Sequence, residues 1–180
     1  MPDLKSILVI AHLFGMVMGM GSAFVGDSIF FSGLKRRNFS SETIRFLKLS
    51  GKLVWFGLLI MFVTGAALFF LNVDRYIDSS KFLLKMIVVA VIALNGLVFH
   101  LKHLKFFERF AGHDIGETEF QKRKFLIFAS GGISSVSWIS ALILGSLRSI
   151  PYTLSQGILI YLALLAVAVF SAGLISKFVK

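Results

Sequence analysis

Apolar residues run along this chain in stretches longer than a soluble helix needs, and five such stretches recur. The pattern predicts helices over about residues 4–34, 53–71, 82–101, 125–147 and 154–178, each long enough to cross a bilayer. Polar positions inside these runs recur at helical spacing. In the first run His12, Gly15, Gly19, Ser22 and Gly26 lie three and four residues apart and so share one face. Leu8, Leu13, Phe14, Met18 and Val25 form the opposite, lipid-like face, and Asp27 sits about 60° round from His12. In lipid the backbone must satisfy its own hydrogen bonds, which selects helices. The expected fold is all-α: a polytopic membrane protein of five transmembrane helices, with a four-helix core and a peripheral fifth, forming one integral membrane domain over residues 1–180.

The connections carry their own signals. Ser40-Ser41-Glu42 with Ile44, Phe46 and Leu47 predicts a capped interfacial helix leading into the second span, where Trp55 marks an interface. Gly57, Met61, Thr64 and Leu68 form a seam in that span, with Gly65 beside it. The loop 102–124 is polar and mixed in charge, and Gly112 and Gly116 break any helix there. Ser130, Ser134, Ser137, Ala141 and Gly145 make a small-residue stripe in span 4, a packing pattern of membrane helices. Span 5 has only Gln156 and Ser171 as polar interruptions and reads as lipid-facing. No internal repeat of the kind found in inverted-repeat transporters is apparent.

Composition adds orientation. The chain is 57% hydrophobic with a net charge of +10. That charge does not point to nucleic acid, because it sits in loops between spans. Lys35, Arg36, Arg37, Arg45, Lys48 and Lys52 follow span 1, and Lys102, Lys105, Arg109, Lys122, Arg123 and Lys124 follow span 3. Against them stand only Lys5, Arg75, Lys81 and Arg148 on the other side. The positive-inside rule then predicts a multi-pass protein of the cell membrane with its N-terminus outside and its C-terminus in the cytoplasm. The first apolar run is too long for a signal h-region and is expected to be retained as a span. There is no cysteine, so thiolate chemistry is excluded.

Depth sorts the intramembrane polar residues, at about 1.5 Å per residue. His12 and Lys85 belong to the outer leaflet. Asp27, Asn95, His100 and His103 form an expected inner-leaflet cluster, in which Asp27 is expected to pair with a base such as His100 or Lys52. His100 lies roughly 22 Å deeper than Lys85, so His12 and His100 cannot share one iron. His12 with Lys85, or His12 with an open sixth position, is a geometrically allowed haem arrangement.

The phrase His12-Leu-Phe-Gly15 and the segment Ser79-Ser80-Lys81-Phe-Leu-Leu-Lys85-Met, leading to Asn95-Gly96 and His100, carry a resemblance. Over about residues 7–105 the chain resembles small bacterial membrane proteins of the copper-resistance D and oxygen-independent protoporphyrinogen oxidase types. In the oxidase type a first-helix histidine and a third-helix lysine are regarded as haem-site residues. The resemblance thus implies haem b, with His12 and Lys85 as ligands and Gly15 and Gly19 beside the porphyrin. The fifth helix and the lack of aromatic-rich outer loops depart from that pattern, so porphyrin oxidation is not carried over. Copper is disfavoured by the absence of Cys and of clustered Met and His.

Three functions therefore stand open. The first is a haem-b redox or haem-handling protein, with its site between helices 1 and 3 and a redox partner or quinone. The second is a small proton-coupled transporter using Asp27 and His100. The third is a non-catalytic scaffold or assembly factor, with homo-oligomerisation through the small-residue seams. No catalytic residue is assigned, because no phosphate loop, paired metal-ligand spacing or nucleophile–base pair survives inspection.

Overall fold

The computed structural model describes residues 3–179. Five helices in it are long and apolar enough to cross a membrane, so the chain is an all-α, multi-pass membrane protein. Helix α1 spans Leu4–Lys35 and α2 spans Ser41–Phe70; the short α3 covers Val73–Tyr76. Helix α4, Ser80–Val98, runs through a π-helical turn at Phe99–His103 into α5, Leu104–Arg109. Helices α6, Thr118–Ser146, and α7, Leu154–Phe178, complete the bundle.

Caps fix where the helices start. Asp3 accepts the Ser6 amide at the head of α1, and Ser40 accepts the Thr43 amide at the head of α2. Thr153 and Gln156 form a reciprocal capping box on α7. The helix capped at Ser40 does not end before span 2. It continues without a break, because Ile44 and Leu47 are buried under the neighbouring loop and hold the polar stretch 41–52 in helical form. Helix α6 likewise begins at Thr118, earlier than its apolar run, with Phe120 fully buried.

The helices fall into two groups. Helices α1 and α2 form a hairpin packed along its length, while α6 packs on both α7 and α4. The α1–α2 contact is made by backbone. A Cβ added at Gly57 would lie 2.6 Å from the Gly19 nitrogen and 2.7 Å from the Gly15 oxygen. Lower on the same face, Ser50 Oγ donates to the Ser22 carbonyl and fills the space beside Gly26. Most of the Gly/Ser face of α1 is therefore spent on α2, the close approach that small residues permit between membrane helices, while Gly19 also meets Trp138 of α6.

Three clusters join the groups, the smallest being Phe128, Ala129 and Ala172 with Phe30 and Leu34 of α1 packed against them. Towards the end opposite the basic loops, Met16, Leu58 and Met61 meet Leu84, Val88, Trp138 and Tyr161. At the basic end an aromatic cap forms from Phe39, Phe107, Phe110 and Phe120 with Leu47, Leu104 and Ile115. The 102–124 segment is thus less of a loop than its charges suggest. Helix continues to Arg109, and the Phe39 and Phe107 rings pack at a tilt of 45° with centroids 4.8 Å apart. Gly112, with φ of 82°, makes the turn and donates its amide to Phe39. Outside the rings, Lys48 pairs with Glu108, and Arg37 pairs with Asp114 at 3.0 Å.

Helix α7 lies outside α6 and α4 with most of its side chains exposed. It is keyed in by Tyr161, whose hydroxyl bonds Ser137 Oγ at 2.7 Å in the bundle interior.

The Arg37–Asp114 contact predicts a pH effect on the cap. The hydrogen bond from Arg37, followed by the Gly116 amide, holds the Asp114 carboxyl below its usual range. A folded value below the unfolded one gives a contribution that is complete above the ordinary carboxylate pKa. It is lost as pH falls through the lowered value. Hydrogen exchange, corrected for intrinsic rates, should therefore rise at residues 112–117 between pH 5 and 3 while α1 and α6 stay protected. Asp114→Asn should show the faster exchange already at pH 5. Because the pair is exposed the effect is small and local.

Candidate functional site

The second-span seam at Thr64 meets His12. Thr64 Oγ1 lies 2.6 Å from the Ile60 carbonyl, one turn back, and this bond takes the hydroxyl proton. The oxygen can then only accept from His12 Nδ1, 3.0 Å away. With Nδ1 donating, Nε2 is the ring's remaining acceptor position. Lys85 of α4 lies within electrostatic reach of the imidazole, so the two residues expected in one leaflet do lie near each other. The space over Gly15 and Gly19, however, is filled. The α2 backbone and Ile60 cover Gly15, and the Trp138 ring lies where a Cβ on Gly19 would stand.

A cavity lined by polar residues lies elsewhere. It sits between the two helical groups, bounded on one side by Trp138 and on the other by the Phe107 side of the aromatic cap. Its volume is about 270 Å³, close to the ~300 Å³ lower end for small-molecule sites. Asp27, Asn95, His100 and His103 all line it, so the four residues grouped by depth do converge on one space.

Their bonding differs from the expectation for Asp27. The carboxylate accepts from Ser135 Oγ of α6 at 3.1 Å. No Lys, Arg or His nitrogen comes within 4.0 Å of it among the described residues, so the expected pairing with His100 or Lys52 is absent. The physical reason is the helix arrangement: α6, not α4, lies beside that edge of α1, and it offers hydroxyls. Asn95 is engaged at both ends of its amide, donating to the Ser130 carbonyl at 3.0 Å and accepting from Ser130 Oγ at 2.9 Å. It braces α4 against α6. His103 is buried and His100 exposed, and neither has a hydrogen-bond partner among the described residues. The π turn that carries both is a common local departure at functional sites.

Sequence reasoning missed three contributors. Trp138 and Tyr161 read as ordinary apolar positions, and Ser135 was passed over beside the Ser134 and Ser137 stripe. An intramembrane Tyr needing a partner was the available signal for the Tyr161–Ser137 pair. No group of three or more His, Asp or Glu able to hold a metal ion occurs among the described residues. No protein-family model, curated protein or solved structure matches this chain.

Proposed function

We propose that the protein is a small proton-coupled carrier working at the cavity between its two helical groups, with Asp27 as the group that gains and loses the proton. One observation supports this above others: an intramembrane carboxylate lines a ligand-sized cavity, and its one side-chain hydrogen-bond partner among the described residues is a neutral hydroxyl. A charge so placed is costly and is a functional feature by default. His100 and His103 supply further donors and acceptors on the opposite helical group. Read with the basic loops as cytoplasmic, the cavity belongs to the inner half of the membrane.

The test uses proteoliposomes loaded with a pH dye, challenged at fixed external pH with small amines, carboxylic acids, sugars and aromatic cations. One class is expected to drive a change in internal pH that disappears in Asp27→Asn and persists in Lys85→Gln. An unchanged response in Asp27→Asn, or no response to any class, counts decisively against a carrier.

A second reading is favoured by His12. A histidine held at Nδ1 by a second residue, with Nε2 left over, is the usual form of a metal-bound imidazole, and Lys85 is near it. The residues would then hold a haem b on the outer part of the bundle, which would supply one-electron chemistry. The packed faces of Gly15 and Gly19 leave no slot for a porphyrin there, so the ring would have to lie outside the α1–α2 seam. Protein purified from haem-replete cells should then show a Soret band that His12→Ala removes. A colourless preparation ends this reading.

A further inference from the structure

The cavity comes to the surface of the bundle on two sides. Between α2 and α4 it is narrowed by packing, Trp55 against Gly96 and Phe99 against Gly51, with His100 and part of Trp55 exposed there. On the side of α1, α6 and α7 the lining is small, with Gly131, Ser134, Ser135, Ala168 and Ser171. Phe31 of α1 and Ile175 of α7 also line the cavity there, and they are about half exposed on the outside of the bundle (53% and 47%). Both belong to helices long and apolar enough to cross a membrane. This mouth therefore faces lipid, and Asp27 stands at it, held by Ser135.

The chemistry of the mouth selects a ligand. The carboxylate has no counter-ion among the described residues, so a cation entering the cavity would offset a charge that now lacks one. The walls are aromatic, with Trp55, Trp138, Phe30, Phe31, Phe99 and Phe107. Ring faces attract cations and cover apolar bodies. A hydrophilic cation arriving through water at this end would first meet the basic loops and be repelled. One dissolved in the bilayer avoids them by entering sideways.

We propose that the cavity takes a flat, lipophilic monocation, which enters from the bilayer between α1 and α7 and takes the place of the proton on Asp27. One positive charge replaces another at the carboxylate, so the exchange leaves the charge of the site unchanged. This deepens the carrier reading and rests on it for the consequence of binding, although not for binding itself. The titratable groups that share the cavity with Asp27 are His100 and His103. Helices α2, α6 and α7 present no charged side chain to it, and α5 presents only Phe107.

The test exploits the two tryptophans, the only ones in the chain, both of which line the cavity. N-butylquinolinium, a permanent cation that quenches indole fluorescence, is titrated into the full-length protein in uncharged phosphatidylcholine nanodiscs at pH 8. Its comparator is 4-butylquinoline, nearly the same shape and uncharged at that pH. The expected result is saturable quenching by the cation only. It weakens at least tenfold in Asp27→Asn, is kept in Asp27→Glu, and weakens from pH 8 to pH 5. The His100→Gln/His103→Gln double variant should keep that pH dependence, and it stands in should Asp27→Asn fail to fold. Linear quenching, equal binding of the neutral quinoline, or a pH dependence lost with the histidines overturns the proposal. If the quinolinium fails to bind while another solute drives Asp27-dependent proton movement, only the ligand class falls and the carrier stands.

Discussion

Replacing Gly57 with alanine is expected to cost about 3 kcal/mol of stability, the upper part of the range for overpacking, and to loosen α1 from α2. The added methyl would meet backbone on the opposite helix, the Gly19 nitrogen and Cα and the Gly15 carbonyl, all between 2.6 and 2.8 Å. A flexible side chain could swing away from such a contact. Backbone cannot, so the two helices must move apart. That movement loosens the contact on which His12 and Thr64 meet, two turns further along the same seam. Gly21→Ala is the matched control. It lies on the same helix as Gly19 with nothing within 4 Å of its added carbon, and alanine has the better helix propensity. Unfolding by denaturing detergent, followed by helical ellipticity, should show a much earlier midpoint for Gly57→Ala and a wild-type or later one for Gly21→Ala. Equal midpoints for the two would mean that the seam is looser than its geometry.

The glycine seam also marks the limit of what the sequence could reveal. A face of His12, Gly15, Gly19, Ser22 and Gly26 states that something comes close to α1. It does not state what, since a flat ring and a helix backbone ask for the same small side chains. The answer lay in Gly57, a residue whose own spacing shows only that span 2 has a seam. The five spans were legible because membrane length and helical periodicity act locally, within each run. A capped helix at the start of 41–52 was also legible, but its unbroken run into span 2 was not, nor was the helical extension at 104–109. Their residues are polar or mixed, and they are helical because Leu47 and Phe107 pack into one cap with Phe39 and Phe120, far apart in sequence.

The polar cluster fared similarly. Depth alone grouped Asp27, Asn95, His100 and His103, and all four line one cavity. Partner choice needs the order of helices around the bundle, which topology does not supply. Charge logic favoured a base for Asp27, and the neighbour proved to be Ser135 on α6. Asn95 was expected to bridge helices and does so, to the backbone and hydroxyl of Ser130.

Trp138→Ala is expected to be the most damaging single substitution in the part of α6 that joins the helical groups. The indole is 1% exposed, its ring fills the space against Gly19, and it belongs to the cluster that unites Met16 and Met61 with Leu84 and Val88. Truncating a buried Trp usually costs about 3–5 kcal/mol. In a bilayer the separated helices keep their apolar side chains in lipid, so the transfer part of that cost shrinks and the lost packing remains. A value near ~3 kcal/mol follows, from the lower end of the same range. The cavity should also gain volume on its Trp138 side, merging with the space that the ring now occupies. Trp138→Phe keeps an aromatic ring and should recover more than half of the stability. Gly19→Ala acts on the same contact from the other side, since its methyl would fall 2.6 Å from the ring edge. Combined with Trp138→Ala, it should cost less than in the wild-type background, because the clash has gone. A double-mutant cycle read by detergent unfolding measures that coupling. Strict additivity would place the indole away from Gly19 in the membrane and remove the contact that bounds the cavity on that side.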